Sequence, residues 1–139
     1  MKDIKVLIID DNTSLIDMVK EYFAVGSICI AYEAHDGLEG LQTLEEHKDD
    51  IDVVLLDLIM PKKDGIYVLE EMKKRNLTNN VIVETSYNAS DVIRQVSEFD
   101  VNYFILKPFD LEDLKKRIEE VTNKNTKKKN IDFTYNNLQ

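Results

Sequence analysis

Short runs of almost purely apolar residues constrain the fold of this chain more than any other feature. They are rich in Val, Ile and Leu and do not alternate with polar residues, which indicates strands that are buried on both faces. These runs are Ile4 to Ile9, Ile28 to Ala34, Val53 to Leu56, Val81 to Val83 and Tyr103 to Leu106. Between them, apolar residues recur at helical spacing. Five strand–helix units in one short chain predict an α/β fold, a parallel sheet with helices on both faces.

Polar residues at the segment boundaries support this division. Thr13 or Ser14, Ser90 and Asp110 stand where helix N-caps are expected. The dipeptides Asp36-Gly37 and Asp64-Gly65 are typical of turns.

Composition limits the function classes that the chain can serve. The chain has 139 residues, a net charge of −9 and one cysteine, Cys29, in an apolar stretch where we expect a packed thiol. The acidic globule does not suit nucleic acid, because phosphate neutralisation needs clustered Lys and Arg. No apolar run approaches the length of a membrane span and no signal peptide is evident, so a cytoplasmic location is expected. Residues 123–139, NKNTKKKNIDFTYNNLQ, are predicted to form a flexible polar and basic tail after a domain at 1–122.

Polar residues cluster at the ends of the predicted strands. The carboxyl ends of parallel strands meet at one edge of the sheet, which is where α/β proteins bind ligands. Acids that converge there would repel one another by about 3 kcal/mol per pair at an effective dielectric near 20. We therefore expect a cation, and oxygen ligands on a wet site favour Mg²⁺ or Mn²⁺. The residues predicted to converge are Asp10, Asp11, Asp57, Thr85 and Lys107.

Lys107 and Thr85 add two donors to this acidic edge. Lys107 can pair with a carboxylate at rest and with an anion when one arrives, and Thr85 offers a hydroxyl. Acids, a divalent cation, an ammonium and a hydroxyl are suited to hold a phosphoryl group in transfer. One carboxylate would then be the nucleophile that forms an acyl phosphate.

The segments LIIDDN, VVLLDLIMPKKDG, VETS and YFILKPF resemble the signature segments of response-regulator receiver domains across about residues 4–122. The resemblance implies a doubly wound, flavodoxin-like (βα)5 sandwich of three layers with strand order 2-1-3-4-5. It implies that Asp57 is the phosphoacceptor, and that Asp10, Asp11, Asp57 and the Ile59 backbone carbonyl hold the metal. By the same resemblance Thr85 is the switch hydroxyl, Phe104 the aromatic that turns inward on activation, and Lys107 the lysine before a cis-Pro108. The family's usual residue before the switch threonine is apolar, whereas here it is Glu84, and Ser86 and Tyr87 follow Thr85.

A narrower likeness concerns the end of the chain. VNYFILKPFDLEDL and KKKNIDF are similar to the receiver and hinge of the stage-zero sporulation transcription factor of endospore-forming bacteria. This implies a two-component phosphorelay receiver that takes a phosphoryl group from a histidine kinase or phosphotransferase and controls transcription through a DNA-binding domain that this chain does not contain. A phosphorylation-dependent homodimer stays open, and neither membrane nor nucleic-acid binding by the domain itself is expected. Phosphorylation is expected to remodel the face of the fourth helix, fifth strand and fifth helix.

Rival functions fit the residues less well. A haloacid-dehalogenase-type phosphatase needs an acid two residues after its nucleophile, but Ile59 stands there, so the domain is expected not to be an enzyme beyond its own phosphotransfer and dephosphorylation. A flavodoxin-like cofactor carrier would need a phosphate loop where the acids of DDNTS stand. A stand-alone receiver that acts as a phosphotransfer intermediate or a protein-binding switch remains the alternative.

Overall fold

The computed structural model describes residues 3–60, 62–86 and 94–123. Its strands are β1 (Ile4–Ile9), β2 (Ile28–Ala34), β3 (Val53–Asp57), β4 (Asn80–Thr85) and β5 (Tyr103–Leu106). The helices are α1 (Thr13–Tyr22), α2 (Gly37–His47), α3 (Gly65–Lys74) and α5 (Leu111–Thr122), and a 3-10 turn at Lys48–Asp50 follows α2. Residues 94–96, between β4 and β5, are also helical and are labelled α4. All five predicted strands are confirmed, and the limits of three of them match the prediction.

The strands form one parallel sheet in the order β2-β1-β3-β4-β5, which confirms the predicted fold class. Strand β1 shows how the three layers form, because successive side chains point to opposite faces. Val6 and Ile8 pack in a cluster with residues of α1 and α5, whereas Leu7 and Ile9 pack in a second cluster with residues of α2 and α3. All four side chains are fully buried.

Helix starts differ in detail from the sequence prediction. Asn12, not Thr13 or Ser14, caps α1, and its side chain accepts a hydrogen bond from the Leu15 N–H at 3.1 Å. Asp110 caps α5 as predicted. The turn residues Asp36 and Asp64 are the N-caps of α2 and α3. Ser90 lies outside the described residues.

The prediction that Cys29 is packed is wrong, because its side chain is exposed. Strand β2 is at the edge of the sheet, and Cys29 lies opposite Lys5 near its start. Its neighbour Ile28 points the other way and is buried. An apolar run at a sheet edge therefore buries only part of its side chains.

Within the described residues, none of the helices has the length and apolar character needed to cross a lipid bilayer.

A close backbone contact ties α2 to the loop that follows β3. The N–H of Gly37 donates to the carbonyl oxygen of Lys63 at 2.8 Å, and a Cβ on Gly37 would lie 1.9 Å from that oxygen. The obstacle is backbone on both sides, so relief requires the loop or the helix to move. This contact fixes the loop that leaves the end of β3.

We expect Gly37→Ala to lower the free energy of unfolding by about 2–3 kcal/mol, the usual cost of overpacking. Gly26→Ala is the matched control, because Gly26 has open space around it but a left-handed φ of +101°. That backbone strain alone should cost about 1–2 kcal/mol. Urea denaturation of both variants provides the comparison. A smaller loss for Gly37→Ala than for Gly26→Ala would contradict the close approach.

Candidate functional site

Strand alternation places four ionisable side chains on one face of the sheet. Along β1, Val6 and Ile8 face the cluster with α1 and α5, and Asp10 follows in the same alternation. Leu55, Ile82 and Ile105 pack in the same cluster. The side chain two residues after each of them points to the same face, at the end of β3, β4 or β5. The residues reached in this way are Asp57, Glu84 and Lys107. Because these four strands are neighbours and parallel, the four side chains meet at one edge.

The ammonium group of Lys107 lies among three carboxyl groups. Its Nζ is 2.9 Å from Asp10 Oδ2, 3.3 Å from Asp57 Oδ2 and 3.6 Å from Glu84 Oε1. The side chains of Asp10 and Glu84 are fully buried, that of Asp57 is 5% exposed and that of Lys107 19%. A single cation thus faces three acids in a region of low solvent access.

Burial and mutual charge shift the protonation of these acids. Burial, together with the charge of Asp10, raises the pKa of Asp57 to about 6. Burial and the adjacent Asp10 carboxylate raise the pKa of Glu84 well above its usual range. Burial also acts to raise the pKa of Asp10, but its contacts with Glu84 and Lys107 hold that pKa below its usual value. The opposite directions of these two shifts mean that, within the Asp10–Glu84 pair, Glu84 holds a proton more strongly than Asp10 does.

Burial alone would lower the pKa of Lys107, but the charges of Glu84, Asp57 and Asp10 and the contact with Asp10 raise it above the usual lysine value. Lys107 is therefore a permanent cation at neutral pH. A permanent ammonium group at the end of β5 can pair with an anion that approaches the same edge of the sheet.

Local hydrogen bonds orient the acids at the ends of β1 and β3. Asp10 Oδ1 accepts from the N–H of Asn12 at 2.8 Å, and Asp57 Oδ1 accepts from the N–H of Ile59 at 3.2 Å. Asp11 is exposed, beside Asp10 at the start of the same loop. The side chain of Ile59 is 51% exposed. Asp57 thus has one oxygen fixed by backbone and one in contact with Lys107.

Thr85 and Phe104 share the opposite face of the sheet. Val83 and Phe104 are register partners in the cluster that packs against α2 and α3, and Thr85 pairs with Leu106 two positions further along. Thr85 is fully buried and Phe104 is 1% exposed. Phe104 therefore already points inward in this structure, whereas the sequence analysis expected this position only after activation.

The peptide bond before Pro108 is cis, which confirms that part of the sequence prediction. The N–H of Lys107 donates to the carbonyl oxygen of Thr85 at 2.9 Å, so the lysine is still tied to β4 where β5 ends. This backbone bond fixes where the Lys107 side chain starts.

The donor set of the acidic group fits a hard divalent cation. One carboxyl oxygen from each of Asp10, Asp57 and Glu84 lies within 4.8 Å of the others, and all three residues are buried. Neither oxygen of Glu84 accepts a hydrogen bond from a described residue. Carboxylate oxygens without N or S donors suit Mg²⁺ or Mn²⁺. Asp11 and Ile59, which the prediction adds to the ligand set, are both exposed and lie one and two residues after Asp10 and Asp57 in the chain.

The structure brings together three of the predicted site residues and adds one that the prediction missed. Asp10, Asp57 and Lys107 meet as expected, whereas Glu84 appeared in the sequence only as an unusual residue before Thr85. Its position could have been found from the two-residue period of β4, which places Glu84 opposite Thr85 and on the face of Asp10. Tyr87 lies outside the described residues.

Comparison with protein families places this site in a known context. The family model of the response regulator receiver domain matches residues 6–119. A curated relative, the "Probable C4-dicarboxylate response regulator DctR" of Bacillus subtilis (strain 168), is 33% identical over 120 residues. The alignment covers 86% of this chain and 52% of that protein, so this chain spans about half the length of that relative.

Solved structures share the fold. A DNA-binding response regulator of the LuxR family from Staphylococcus aureus superposes with a TM-score of 0.79 at 27% identity, covering 86% of this chain and 99% of the other. A CheX–CheY–BeF3–Mg²⁺ complex from Borrelia burgdorferi contains a chain that matches with a TM-score of 0.81 at 28% identity, covering 88% and 92%. That relative was therefore crystallised together with a beryllofluoride group and a magnesium ion.

Proposed function

Because the chain belongs to the response regulator receiver domain family, we propose that Asp57 accepts a phosphoryl group and thereby switches an output surface. The observation that carries this proposal is the contact between Asp57 and Lys107, at 3.3 Å, within the buried acidic group. One oxygen of Asp57 is fixed by the Ile59 N–H, and a carboxylate with a pKa of about 6 is largely ionised at neutral pH. Asp57 is therefore oriented and charged as a nucleophile.

The transfer requires little chemistry from the protein beyond positioning. An Asp57 oxygen forms a bond to phosphorus while the bond from phosphorus to the histidine nitrogen of a donor protein breaks, and the nitrogen keeps the electron pair and takes up a proton. Mg²⁺, when bound, screens the approach of the two anions. Lys107 follows the phosphoryl oxygens, and the Thr85 hydroxyl, which is buried on the opposite face in this structure, turns toward the strand ends to donate to one of them. The metal would be held by Asp10 and Asp57 of the acidic group together with Asp11 and the Ile59 carbonyl, while Glu84 would remain paired with Lys107.

The switch and its output extend this proposal. Phosphoryl contacts to Thr85 and Lys107 supply the differential interaction that moves the equilibrium between two conformations. The face of α4, β5 and α5 transmits the change. The domain catalyses only its own phosphorylation and dephosphorylation, with a histidine kinase or phosphotransferase as donor.

Control of transcription in the cytoplasm is the output we favour, because the DctR relative is about twice as long as the matched region and the S. aureus relative is a DNA-binding protein. The sporulation-type assignment, the boundary of the domain at residue 122 and a phosphorylation-dependent homodimer stay predictions. The flexible tail predicted at 123–139 lies, except for Asn123, outside the described residues.

The experiment that tests the function is mass analysis after incubation with a small phosphodonor. We expect one phosphoryl group per chain in Mg²⁺, mapped by peptide analysis to the segment that contains Asp57, and none in chelator. An adduct of equal yield in chelator would remove the metal from the mechanism. An adduct on another segment would remove Asp57 from its role.

Removal of Asp11 should weaken Mg²⁺ binding by about tenfold or more, because a direct carboxylate ligand is lost. Phe104→Ala should leave Mg²⁺ affinity within about twofold of wild type, since Phe104 packs on the opposite face of the sheet. Calorimetric titration of Asp11→Ala and Phe104→Ala with Mg²⁺ measures both. Equal affinity of wild type and Asp11→Ala would exclude Asp11 from the metal site.

A further inference from the structure

Glu84 is a buried carboxyl group that the proposed phosphotransfer does not use. It is fully buried on β4, where its register partners are Asp57 on β3 and Ile105 on β5. The residue two positions earlier, Ile82, packs in the apolar cluster with α1 and α5. An acidic side chain in such a place costs free energy unless a polar neighbour compensates it. Its contacts should therefore indicate what it does.

The contacts of Glu84 are with Asp10 and Lys107. One oxygen lies 3.6 Å from the Lys107 ammonium, and the carboxyl group also contacts the Asp10 side chain. Neither Glu84 oxygen accepts a hydrogen bond from the described residues, so nothing else in that part of the chain satisfies the group. Glu84 thus bridges the lysine and the acid that lies at the far side of the site.

The path of Lys107 explains why such a bridge matters. Lys107 starts beyond the end of β5 and reaches Asp10 at the end of β1, so its side chain crosses the ends of β4 and β3. Glu84, near the end of β4, lies beneath the Lys107 side chain. A phosphoryl group on Asp57 would draw the ammonium toward its own oxygens, and the contact with Glu84 would then lengthen or break.

We propose that Glu84 is a positioning residue that anchors Lys107 in its resting place beside Asp10, and so sets how readily the ammonium transfers to a phosphoryl group on Asp57. The proposal rests on the proposed function. Loss of the anchor removes a contact that the resting state has and the phosphorylated state gives up. A variant without the anchor should therefore bind a phosphoryl analogue more tightly.

The test is a calorimetric titration with beryllofluoride at saturating Mg²⁺. We expect Glu84→Leu to bind about three- to tenfold more tightly than wild type, the range of coupling between neighbouring groups. Glu84→Gln should stay within about twofold of wild type, because the amide can still face both the ammonium and the Asp10 carboxylate. Glu46→Gln, at a side chain that is 73% exposed, is the control for loss of an acid.

The Lys107→Met variant tests whether Glu84 acts through Lys107. In Lys107→Met the gain from Glu84→Leu should vanish, and its persistence would show that Glu84 acts without Lys107, which overturns the proposal. Unchanged or weaker binding by Glu84→Leu, with a native circular dichroism spectrum, would also overturn it. A glutamine variant that behaves like the leucine variant would refute the bridge. Failure of wild type to bind beryllofluoride would instead count against the proposed function.

Discussion

Replacement of Asp57 by Asn is expected to abolish the Mg²⁺-dependent phosphoryl adduct, with a loss of at least about a hundredfold in the rate of labelling. The amide has the shape of the carboxylate and can still accept from the Ile59 N–H, which is 3.2 Å from Asp57 Oδ1 in the wild type. It cannot attack phosphorus as an anion. The loss would therefore report chemistry and not a change of fold. Intact-mass analysis over a time course with a small phosphodonor measures it.

The controls for this experiment address charge and folding. Glu46→Gln removes an exposed acid and should be labelled at the wild-type rate, since its side chain is 73% exposed. Asp57→Asn should also be at least as stable as wild type at neutral pH, because the mutation removes a buried charge whose pKa is raised to about 6. Continued labelling of Asp57→Asn would mean that another acid, such as Asp10 or Asp11, is the acceptor.

Most of the fold could be predicted from the sequence, because the patterns of buried strands and of amphipathic helices are both clear in it. Strands buried on both faces read as continuous Val, Ile and Leu, and only helices with an apolar stripe can cover them. The acidic edge followed from the same assignment, because acids at the ends of parallel strands converge whatever the loops do. The positions of Asp10 and Asp57 at this edge could be predicted without knowing which way any side chain points.

What the sequence reasoning did not supply depends on which way a side chain points. Glu84 precedes Thr85 in the chain, but adjacent residues of a strand face opposite sides, so only one of them can join Asp10. Cys29 shows the same limitation, since its exposure depends on β2 being an edge strand. The N-cap of α1 shifted to Asn12, because two adjacent hydroxyl residues and an amide can all serve as caps.

Lys107 is expected to be the residue on which the stability of the acidic edge most depends. It is the cation closest to Asp10, Asp57 and Glu84 among the described residues, and Lys107→Met would leave these buried acids facing one another. Breaking a buried ion pair by removing one partner costs about 3–5 kcal/mol. We expect the free energy of unfolding of Lys107→Met, measured in chelator near neutral pH, to fall by about that amount.

The pH dependence of the loss identifies its cause. Without Lys107 the pKa values of Asp57 and Glu84 should rise further above their ordinary values of 3.8 and 4.5. A folded state with raised carboxyl pKa values binds more protons than the unfolded chain, so its stability falls as the pH rises through them. The deficit of Lys107→Met relative to wild type should therefore be smallest near about pH 5 and largest near about pH 8. Urea denaturation across this range measures it.

The surface lysine Lys5 offers a matched control for this last prediction. Its Nζ is 2.9 Å from Asp50, the same distance as between Lys107 and Asp10, but both Lys5 and Asp50 side chains are largely in solvent. Lys5→Met should therefore destabilise the domain much less than Lys107→Met does and show little dependence on pH, because solvent screens an exposed ion pair. If Lys107→Met lowered the free energy of unfolding as little as Lys5→Met at every pH, the acids at the strand ends would have to be solvated. That result would contradict the buried network on which the proposed phosphorylation site depends.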